Sequence, residues 1–269
     1  MAEVKKCLLR GKEREMIEKA KEQTVREIEK EAMRCYNQVA EGYEMPTHET
    51  VRNFEAVTSA FLKKELLGRT KPGDLILDLG GGRGYVAEQF ERLGGIVTLG
   101  DISKGMLKCA MREIGSSLNY ALLSAFELPF KDETFDLVLT LLCGAYLRSE
   151  TVAEVYRVLK PRGLYVVTET PKEWTEASQS QRNVQPDKIW FKDAEGSVVF
   201  LPFRYVYYLE ELASLLSKFG FEVIIKETLR PGNLIPPESI STVNKNVAKT
   251  LGMPVQDIPM LSALVVSKP

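Results

Sequence analysis

The sequence contains few of the residues that build metal centres and disulfide-bonded folds. Histidine occurs once, as His48, and the four cysteines lie far apart, with no Cys-x-x-Cys pair. Zinc sites need Cys and His at short spacing, and small disulfide-bonded folds need many cysteines. The composition therefore predicts no metal site and reduced, buried thiols, as in a cytoplasmic protein.

Long apolar runs and an excess of one charge are also missing. No stretch approaches the ~20 apolar residues that span a bilayer, and residues 1–10 lack the apolar core of a signal peptide. The 36 basic and 37 acidic residues leave a formal net charge of −1. This balance gives no long-range attraction to nucleic acid or anionic membranes. We expect no membrane span, and nucleic acid is disfavoured as a partner unless a local basic patch exists. The sequence carries no signal about the oligomeric state.

The chain is long enough for one large α/β domain with additions. It has 269 residues, of which 44% are hydrophobic. Between Lys12 and Ala40, apolar residues recur at helical spacing among many charges. A second helix is predicted from Thr50 to Leu67, before Lys71-Pro72-Gly73 breaks the chain. Residues 1–70 are therefore predicted to form a helical cap, and residues 71–269 a core domain.

From Leu75 onward, short apolar runs alternate with helical patterns. Such alternation is typical of a parallel sheet covered by helices on both faces. The predicted strands are 75–77, 96–99, 120–123, 135–141 and 164–168, and the predicted helices are 85–93, 103–113 and 150–159.

After Thr170 this alternation of strands and helices ends. Residues 170–208 are predicted to be an insertion in which 189–191 and 198–200 form a hairpin around Asp193-Ala194-Glu195-Gly196. A helix at 209–219 and a strand at 221–225 follow. Residues 171–186 are polar and show no clear period, residues 231–259 are proline-rich, and 262–266 form a last strand.

A glycine cluster stands directly between a predicted strand and a predicted helix. It reads Leu77-Asp78-Leu79-Gly80-Gly81-Gly82-Arg83-Gly84-Tyr85. Glycines allow a tight turn and a close approach of backbone to a ligand. A dinucleotide-binding loop would place its third glycine at Tyr85, and the Gly-Lys-Ser/Thr of a P-loop is missing. Gly-x-Gly-x-Gly after an acidic residue is the methyltransferase pattern.

A carboxylate ends the next strand. Asp101 follows Gly84 by seventeen residues. At this position a carboxylate accepts hydrogen bonds from the hydroxyls of a ribose. This succession of a strand, a glycine loop, a helix, a second strand and an acidic residue indicates a ligand site far more specifically than the glycines alone. The alternative is a glycine turn in an α/β domain that binds no ligand.

The chain resembles the class I S-adenosylmethionine-dependent methyltransferases, especially the group that includes the ubiquinone and menaquinone methyltransferases. The resemblance covers about 36–221 and the final strand. It continues in four further motifs: Leu99-Gly100-Asp101-Ile102-Ser103 with Met106-Leu107, Leu128-Pro129-Phe130, Phe135-Asp136-Leu137-Val138, and Arg157-Val158-Leu159-Lys160-Pro161-Arg162-Gly163.

The resemblance implies a Rossmann-like α/β fold, S-adenosylmethionine as cofactor and a set of cofactor contacts. The sheet would have seven mostly parallel strands, with the last strand antiparallel and helices on both faces. Asp101 would hold the ribose hydroxyls. Gly80, Gly82 and Gly84 would lie against the methionine part, Ile102 would pack on the adenine with Met106 as a second wall, Leu142 would lie under the cofactor, and Tyr36 and Tyr43 over it. Asp78, Ala125 and Phe126 are further predicted cofactor-binding residues.

One position departs from the pattern of the family. Many relatives carry Asp just before the position of Ala125, where it reaches the adenine amino group. This chain has Ser124, which can accept the same hydrogen bond but brings no charge. The contact made by Ser124 is therefore in doubt, although the fold is not.

The sequence says less about the site of the methyl acceptor. Methyl transfer mainly requires that the two reactants are positioned and that water is excluded, so it needs no fixed catalytic motif. His48, Tyr146 and Glu169 are weak candidates for a general base or an orienting group, and each has an ordinary structural alternative. The aromatic segment 190–208 would form either a wall of an apolar pocket or its own small core. Either this segment or the N-terminal helices would provide the lid.

The predicted function is methyl transfer to an O, N or C atom of a small molecule by in-line displacement. Two alternatives stay open. One is a tRNA or protein methyltransferase on the same core, and the other is a cofactor-binding regulatory protein without turnover.

Overall fold

The computed structural model describes residues 26–43, 48–143, 147–180, 188–202 and 206–269. Its centre is a seven-stranded sheet in the order β3-β2-β1-β4-β5-β9-β8. The strands are β1 (Leu75–Leu79), β2 (Ile96–Asp101), β3 (Asn119–Leu122), β4 (Phe135–Leu141), β5 (Leu159–Glu169), β8 (Glu222–Leu229) and β9 (Leu261–Ser267). A separate hairpin pairs β6 (Lys188–Lys192) with β7 (Val198–Pro202).

Strand directions confirm the predicted fold class. β1 to β5 pair in parallel, and β9 pairs antiparallel with both β5 and β8. Strands are added to one side of β1 as far as β3 and then to its other side from β4 onward. A crevice therefore opens at the carboxyl ends of β1, β2 and β4. In open α/β sheets, ligands bind in such a crevice.

Helices cover both faces of the sheet. α1 is described over 26–39 and is followed by a 3₁₀ turn, Ala40–Gly42. The others are α2 (Glu49–Glu65), α3 (Ala87–Glu91), α4 (Lys104–Ile114), α5 (Ser149–Val158), α6 (Lys172–Ser180), α7 (Leu209–Lys218) and α8 (Thr242–Leu251).

The core has two halves because neighbouring residues of a strand point to opposite faces. In β5, Val166 packs with α2, α3, α4, α6 and α8, whereas Val167 packs with α5 and α7. Both residues are fully buried. The near-continuous apolar strands predicted from the sequence are therefore explained by burial on both sides.

Two helices lie in segments for which no helix was predicted from the sequence, one without a clear period and one rich in proline. α6 occupies 172–180, where it buries Trp174 and Ala177 against the core. α8 lies within the proline-rich stretch. Its ends carry ordinary signals, since the Ser241 hydroxyl accepts a hydrogen bond from the Asn244 N–H and Gly252 closes the helix at φ +66°.

A buried polar network ties α2 to this part of the chain. Asn53 on α2 accepts hydrogen bonds from the Ser241 N–H (2.8 Å) and the Asn244 side-chain amide (3.1 Å). Its own amide donates to the Ser239 carbonyl (3.0 Å), and the Trp174 indole donates to Asn244 (2.9 Å). Buried polar groups are costly unless paired. The network therefore fixes where α2 lies on the sheet.

Candidate functional site

The glycine loop after β1 turns through backbone conformations that favour glycine. Gly80, Gly82 and Gly84 have φ of +73°, +56° and +81°. Space is limited as well: a Cβ on Gly80 would stand 2.4 Å from the Cys143 sulfur, and one on Gly81 would stand 2.4 Å from an Asp78 oxygen. The loop therefore depends on glycine for both its turn and its close packing.

The loop forms the floor of a deep cleft at the carboxyl ends of β1, β2 and β4. The cleft is partly open to solvent and its lining is more apolar than polar, as in most sites that bind small molecules. Its walls include the predicted contacts Tyr36, Tyr43, Asp78, Gly80, Gly82, Asp101, Ile102, Met106, Ala125 and Leu142.

Asp101 connects the glycine loop to β2. One carboxylate oxygen accepts a hydrogen bond from the Gly82 N–H (3.0 Å), and the other accepts one from the Ser103 N–H (2.7 Å). Only 8% of the residue is exposed. Burial raises its pKa to about 6, against the pull of these N–H donors. A carboxylate oxygen has more than one lone pair, so the group can still accept further hydrogen bonds.

Asp78 lies beneath the loop and is more deeply buried. Burial, together with the nearby Asp101 carboxylate, raises its pKa to about 7. Among the described residues, its Oδ2 atom has no hydrogen-bond partner, although Asp78 lines the cleft. Such an atom, beside a cleft and poor in partners, suits a ligand that donates hydrogen bonds and carries positive charge.

The C-terminal half of α1 is attached to α4. The Asn37 side-chain oxygen accepts hydrogen bonds from the Ser103 hydroxyl (3.0 Å) and the Gly105 N–H (2.7 Å). Arg112 of α4 forms a two-pronged ion pair with Glu41 (2.9 and 2.8 Å). Cys35, Val39 and Ala40 pack with α4. The contacts place Tyr36 and Tyr43 over the cleft.

Ser124 pairs with α1. Its hydroxyl donates to the Glu29 carboxylate and accepts from the Phe126 N–H (3.0 Å). Nearby, Ile28 and Ala32 of α1 pack with Ile102, Ala125, Phe126 and Cys143. Ser124, Phe126 and Glu29 do not line the cleft, so this pair joins α1 to the segment after β3 beside it.

The hairpin packs on the cap. Phe191 stacks on Tyr43 with ring centroids 5.1 Å apart, and Cys35 donates to the Phe200 carbonyl (3.2 Å). Gln38 donates to Asp193 at the hairpin turn (3.0 Å). This position differs from both arrangements considered for the aromatic segment, because the hairpin supports a cleft wall through Tyr43.

His48 connects the same elements. The Lys192 N–H donates to its Nε2 atom (3.2 Å), so Nδ1 carries the proton and donates to the Tyr43 carbonyl (2.8 Å). The ring is 8% exposed and meets Phe191 edge-on. Both nitrogens are engaged in holding the hairpin, and His48 does not line the cleft.

Glu169, at the end of β5, is buried beside Cys143. It accepts the Cys143 N–H, and burial raises its pKa well above the usual range of a carboxyl group. Within the described chain, its Oε1 atom has no hydrogen-bond partner. Glu169 does not line the cleft, and Tyr146 lies outside the described residues.

Comparison with known proteins agrees with this geometry. Residues 77–167 match the family described as a methyltransferase domain. The match begins within β1, contains the glycine loop and Asp101, and ends within β5. This match confirms the predicted resemblance to the class I S-adenosylmethionine-dependent methyltransferases.

Curated relatives of this methyltransferase domain include C-methyltransferases named for ubiquinone and menaquinone biosynthesis. One from Xanthomonas oryzae pv. oryzae is 34% identical over 177 residues, which cover 60% of this chain and 65% of the relative. One from Psychromonas ingrahamii is 40% identical over 112 residues, covering 37% and 43% of the two chains. The matches thus span less than two thirds of these relatives.

Solved structures share the fold of the domain at low identity. A protein from Pyrococcus horikoshii aligns with a TM-score of 0.58 at 20% identity, covering 84% of this chain and 94% of its own. An S-adenosylmethionine-dependent methyltransferase from Mesorhizobium loti aligns with a TM-score of 0.51 at 19% identity, covering 74% and 92%.

The structure separates the residues predicted for the site into two groups. Ten of the thirteen predicted cofactor contacts line the cleft, whereas Gly84, Ser124 and Phe126 do not. A Cβ on Gly84 would meet Ile114 at 2.6 Å, so this glycine allows the loop to pack on α4. No group of side chains suited to a metal ion occurs in the described ranges, and no helix in them could span a membrane.

The sequence prediction missed one wall of the cleft. Val51, Glu55 and Thr58 of α2 line it, as do Arg83 and Tyr85. The positions 51, 55 and 58 are spaced i, i+4 and i+7, which places them on one face of a helix. That spacing was visible in the sequence, but nothing there indicated which face of α2 meets the glycine loop.

Proposed function

We propose that this chain binds S-adenosylmethionine in the cleft and transfers its methyl group to a small-molecule acceptor. The observation that carries the proposal is the meeting of the glycine loop with Asp101, joined by the Gly82–Asp101 hydrogen bond, in a cleft with apolar walls. The similarity of residues 77–167 to a methyltransferase domain supports the same cofactor.

The cleft suits the three parts of this cofactor. The methionine part would lie against Gly80 and Gly82, where the backbone is open. Asp101 would accept hydrogen bonds from the ribose hydroxyls. The adenine would enter the slot between Ile102, Met106 and Ala125, with the aromatic rings of Tyr36 and Tyr43 above.

The residues of the cleft would contribute positioning and electrostatics. When bound, the cofactor would supply a methyl group on a sulfonium sulfur, which an acceptor atom would attack in line while the S–CH3 bond breaks and S-adenosylhomocysteine leaves as a neutral thioether. Asp78 and Asp101 provide negative charge in a buried site, where it interacts strongly with a cation. The cap and the loop exclude water and fix the direction of attack. A general base is needed only if the acceptor must lose a proton.

We propose a small molecule as acceptor, with transfer to an O, N or C atom. The relatives named for ubiquinone and menaquinone biosynthesis are C-methyltransferases, which supports an acceptor of this size. We assign no general base, because neither His48 nor Glu169 lines the cleft and Tyr146 lies outside the described residues. We further propose a cytoplasmic location, because Cys35, Cys109 and Cys143 form no disulfide bond among the described residues.

Calorimetry with S-adenosylhomocysteine tests the cofactor assignment. We expect clear binding of this product and far weaker binding of NAD. Asp101→Ala should weaken product binding by ~1–3 kcal/mol through loss of charge-assisted hydrogen bonds. Asp132→Ala, which removes an exposed partner of Arg157, is the control and should bind normally.

Two results would contradict this proposal. One is tight binding of NAD without binding of S-adenosylhomocysteine. The other is wild-type affinity in Asp101→Ala. If product binds but no methyl transfer occurs to small aromatic acceptors, tRNA or protein, the chain is a cofactor-binding protein without turnover.

A further inference from the structure

The imidazole of His48 lies where three elements around the cleft meet. Its Nδ1 atom donates to the carbonyl of Tyr43 (2.8 Å), which follows the 3₁₀ turn, and its Nε2 atom accepts the Lys192 N–H of β6 (3.2 Å). His48 itself is the residue before α2, the helix that the Asn53 network ties to α8. One ring therefore connects a fixed wall of the cleft to both the cap and the hairpin.

The place of His48 in the chain is one that usually holds another residue type. The residue before a helix is most often Ser, Thr, Asp or Asn, whose side chain accepts a hydrogen bond from the first turn. Within the described chain the His48 side chain makes no such bond, and the residue is 8% exposed. The sequence thus gives up a stabilising cap of α2 and uses the side chain for contacts to other elements. Such a departure from a local rule points to a functional role.

His48 also contacts Tyr43 indirectly, through an aromatic ring of the hairpin. Phe191 meets the His48 ring edge-on, with ring centroids 5.3 Å apart, and stacks on the Tyr43 ring at 5.1 Å. Tyr43 lines the cleft, whereas His48 and Phe191 do not. The hydrogen bond from Nδ1 therefore holds the backbone of Tyr43, and the ring contacts hold its side chain.

We propose that His48 is a positioning residue that holds Tyr43 over the bound cofactor, and that it does so only with its proton on Nδ1. The inference rests on the proposed function, in which Tyr43 covers the cofactor. In the other tautomer, Nε2–H would face the Lys192 N–H and the bare Nδ1 would face the Tyr43 carbonyl, so both hydrogen bonds would be lost together. Ligand affinity falls with the fraction of molecules that hold the binding arrangement, so loss of these contacts weakens binding.

NMR of the wild-type protein tests the tautomer without any substitution. The chain contains one histidine, so the ¹⁵N signals of its ring are free of overlap. In mildly alkaline buffer we expect a protonated Nδ1 and an unprotonated Nε2, both with and without S-adenosylhomocysteine. A ring with its proton on Nε2, or a mixture of the two tautomers in the bound protein, would overturn the inference.

Two substitutions of His48 separate its hydrogen bonds from its bulk. Phenylalanine keeps a ring beside Phe191 but makes neither hydrogen bond, whereas glutamine offers one acceptor and one donor. In calorimetry, His48→Phe should weaken binding of S-adenosylhomocysteine by about tenfold, and His48→Gln by less than about threefold. Gln38→Ala is the matched control, because it removes a hydrogen bond between α1 and the hairpin turn that involves neither His48 nor Tyr43. Its affinity should stay close to that of wild type.

A double variant tests whether His48 acts through Tyr43. Tyr43→Ala alone should weaken binding, and adding His48→Phe to it should weaken binding little further, because the two residues belong to one unit. A melting curve of each variant shows whether it is folded under the conditions of the binding assay.

The outcomes separate this inference from the proposed function. Wild-type affinity in His48→Phe, equal weakening in His48→Phe and His48→Gln, or additive losses in the double variant would overturn the inference alone. Equal weakening in Gln38→Ala would also overturn it, because any loosening of the hairpin would then have the same effect. A wild-type protein that binds no S-adenosylhomocysteine would overturn the proposed function and this inference with it.

Discussion

The N-terminal region brings two helices to the same cleft, and they are attached to the rest of the molecule in different ways. α2 contributes Phe54, Val57, Phe61 and Leu62 to the main core and is held by the Asn53 network. Within its described residues 26–39, α1 buries Ile28, Ala32, Cys35 and Val39, divided between two small clusters. Its polar contacts, through Asn37 and Glu29, lie close to the surface.

This difference indicates which helix is free to move. Release of α1 exposes few apolar side chains, whereas release of α2 would break the core of the sheet. We therefore expect α2 to act as a fixed wall of the cleft and α1 as the cover that opens for ligand exchange. The proposal that residues 1–70 act as one lid stays a prediction, and this comparison divides it into two testable parts.

The largest expected effect comes from breaking the anchor of α2. Asn53→Ala should lower the free energy of unfolding by ~3 kcal/mol, because it strands the buried Asn244 amide, the Ser241 N–H and the Ser239 carbonyl. Asn37→Ala, in the anchor of α1, should change it by ~1 kcal/mol or less. Urea unfolding measures both, and equal losses would refute the distinction between the helices.

A change of pH probes the charge enclosed under both helices. The pKa of Asp78 is raised to about 7, so the folded protein holds a proton that the unfolded chain releases near pH 4. The stability contributed by Asp78 is therefore greatest at low pH and falls as pH rises from about 4 to about 7. Between pH 5 and 8 the loss should be on the order of 1–3 kcal/mol.

The variant Asp78→Asn isolates this contribution from other titrating groups. The stability of the variant minus that of wild type should increase between pH 5 and about 7 and level off above. A difference that does not vary with pH would show that Asp78 ionises like an exposed carboxylate.

Hydrogen exchange compares the two helices directly. With saturating S-adenosylhomocysteine, exchange over 26–39 should slow by about tenfold, since the closed cover gains contacts with the ligand. Exchange over 49–65 should hardly change, and the loop 77–85 should become protected. Equal slowing in both helices would favour a single lid, and no slowing in α1 would move the cover to the hairpin.

The smallest expected effect concerns the contact between Glu29 and Ser124. Glu29→Ala and Ser124→Ala should each speed exchange in α1 about two- to fivefold, consistent with a partly exposed hydrogen bond worth ~0.5–1 kcal/mol. The double variant should show little more than either alone, because both remove the same contact. Additive effects would mean that the two residues act separately.

Features that depend on neighbouring residues could be predicted from the sequence. The strand Phe135–Leu141 was predicted with the bounds that the structure gives. The glycine loop and Asp101 were recognised because their chemistry is local: a buried strand, a turn that needs glycine, and an acid at the end of the next strand. Residues that close the cleft from a distance were harder to find.

Glu29 and Ser124 are 95 residues apart in the chain, and no local sequence pattern predicts that they pair. Thr58 was missed because a single hydroxyl on a helix face resembles any surface threonine. His48 was considered for its chemistry, yet both ring nitrogens hold the backbone of neighbouring elements. α8 was missed because flanking prolines concealed its Ser241 and Gly252 caps.

The position of β9 has a consequence for the order of folding. β9 lies between β5 and β8, so those two strands become neighbours only through a segment about ninety residues after β5. Closing so long a loop is slow, because the chain loses conformational entropy before the hydrogen bonds of β9 with β5 and β8 contribute stability. Until then β5 and β8 each present an unpaired edge, and exposed edges readily pair with other chains. Anything that delays the insertion of residues 261–267 therefore leaves two edges open together, and self-association becomes the main competitor of correct folding.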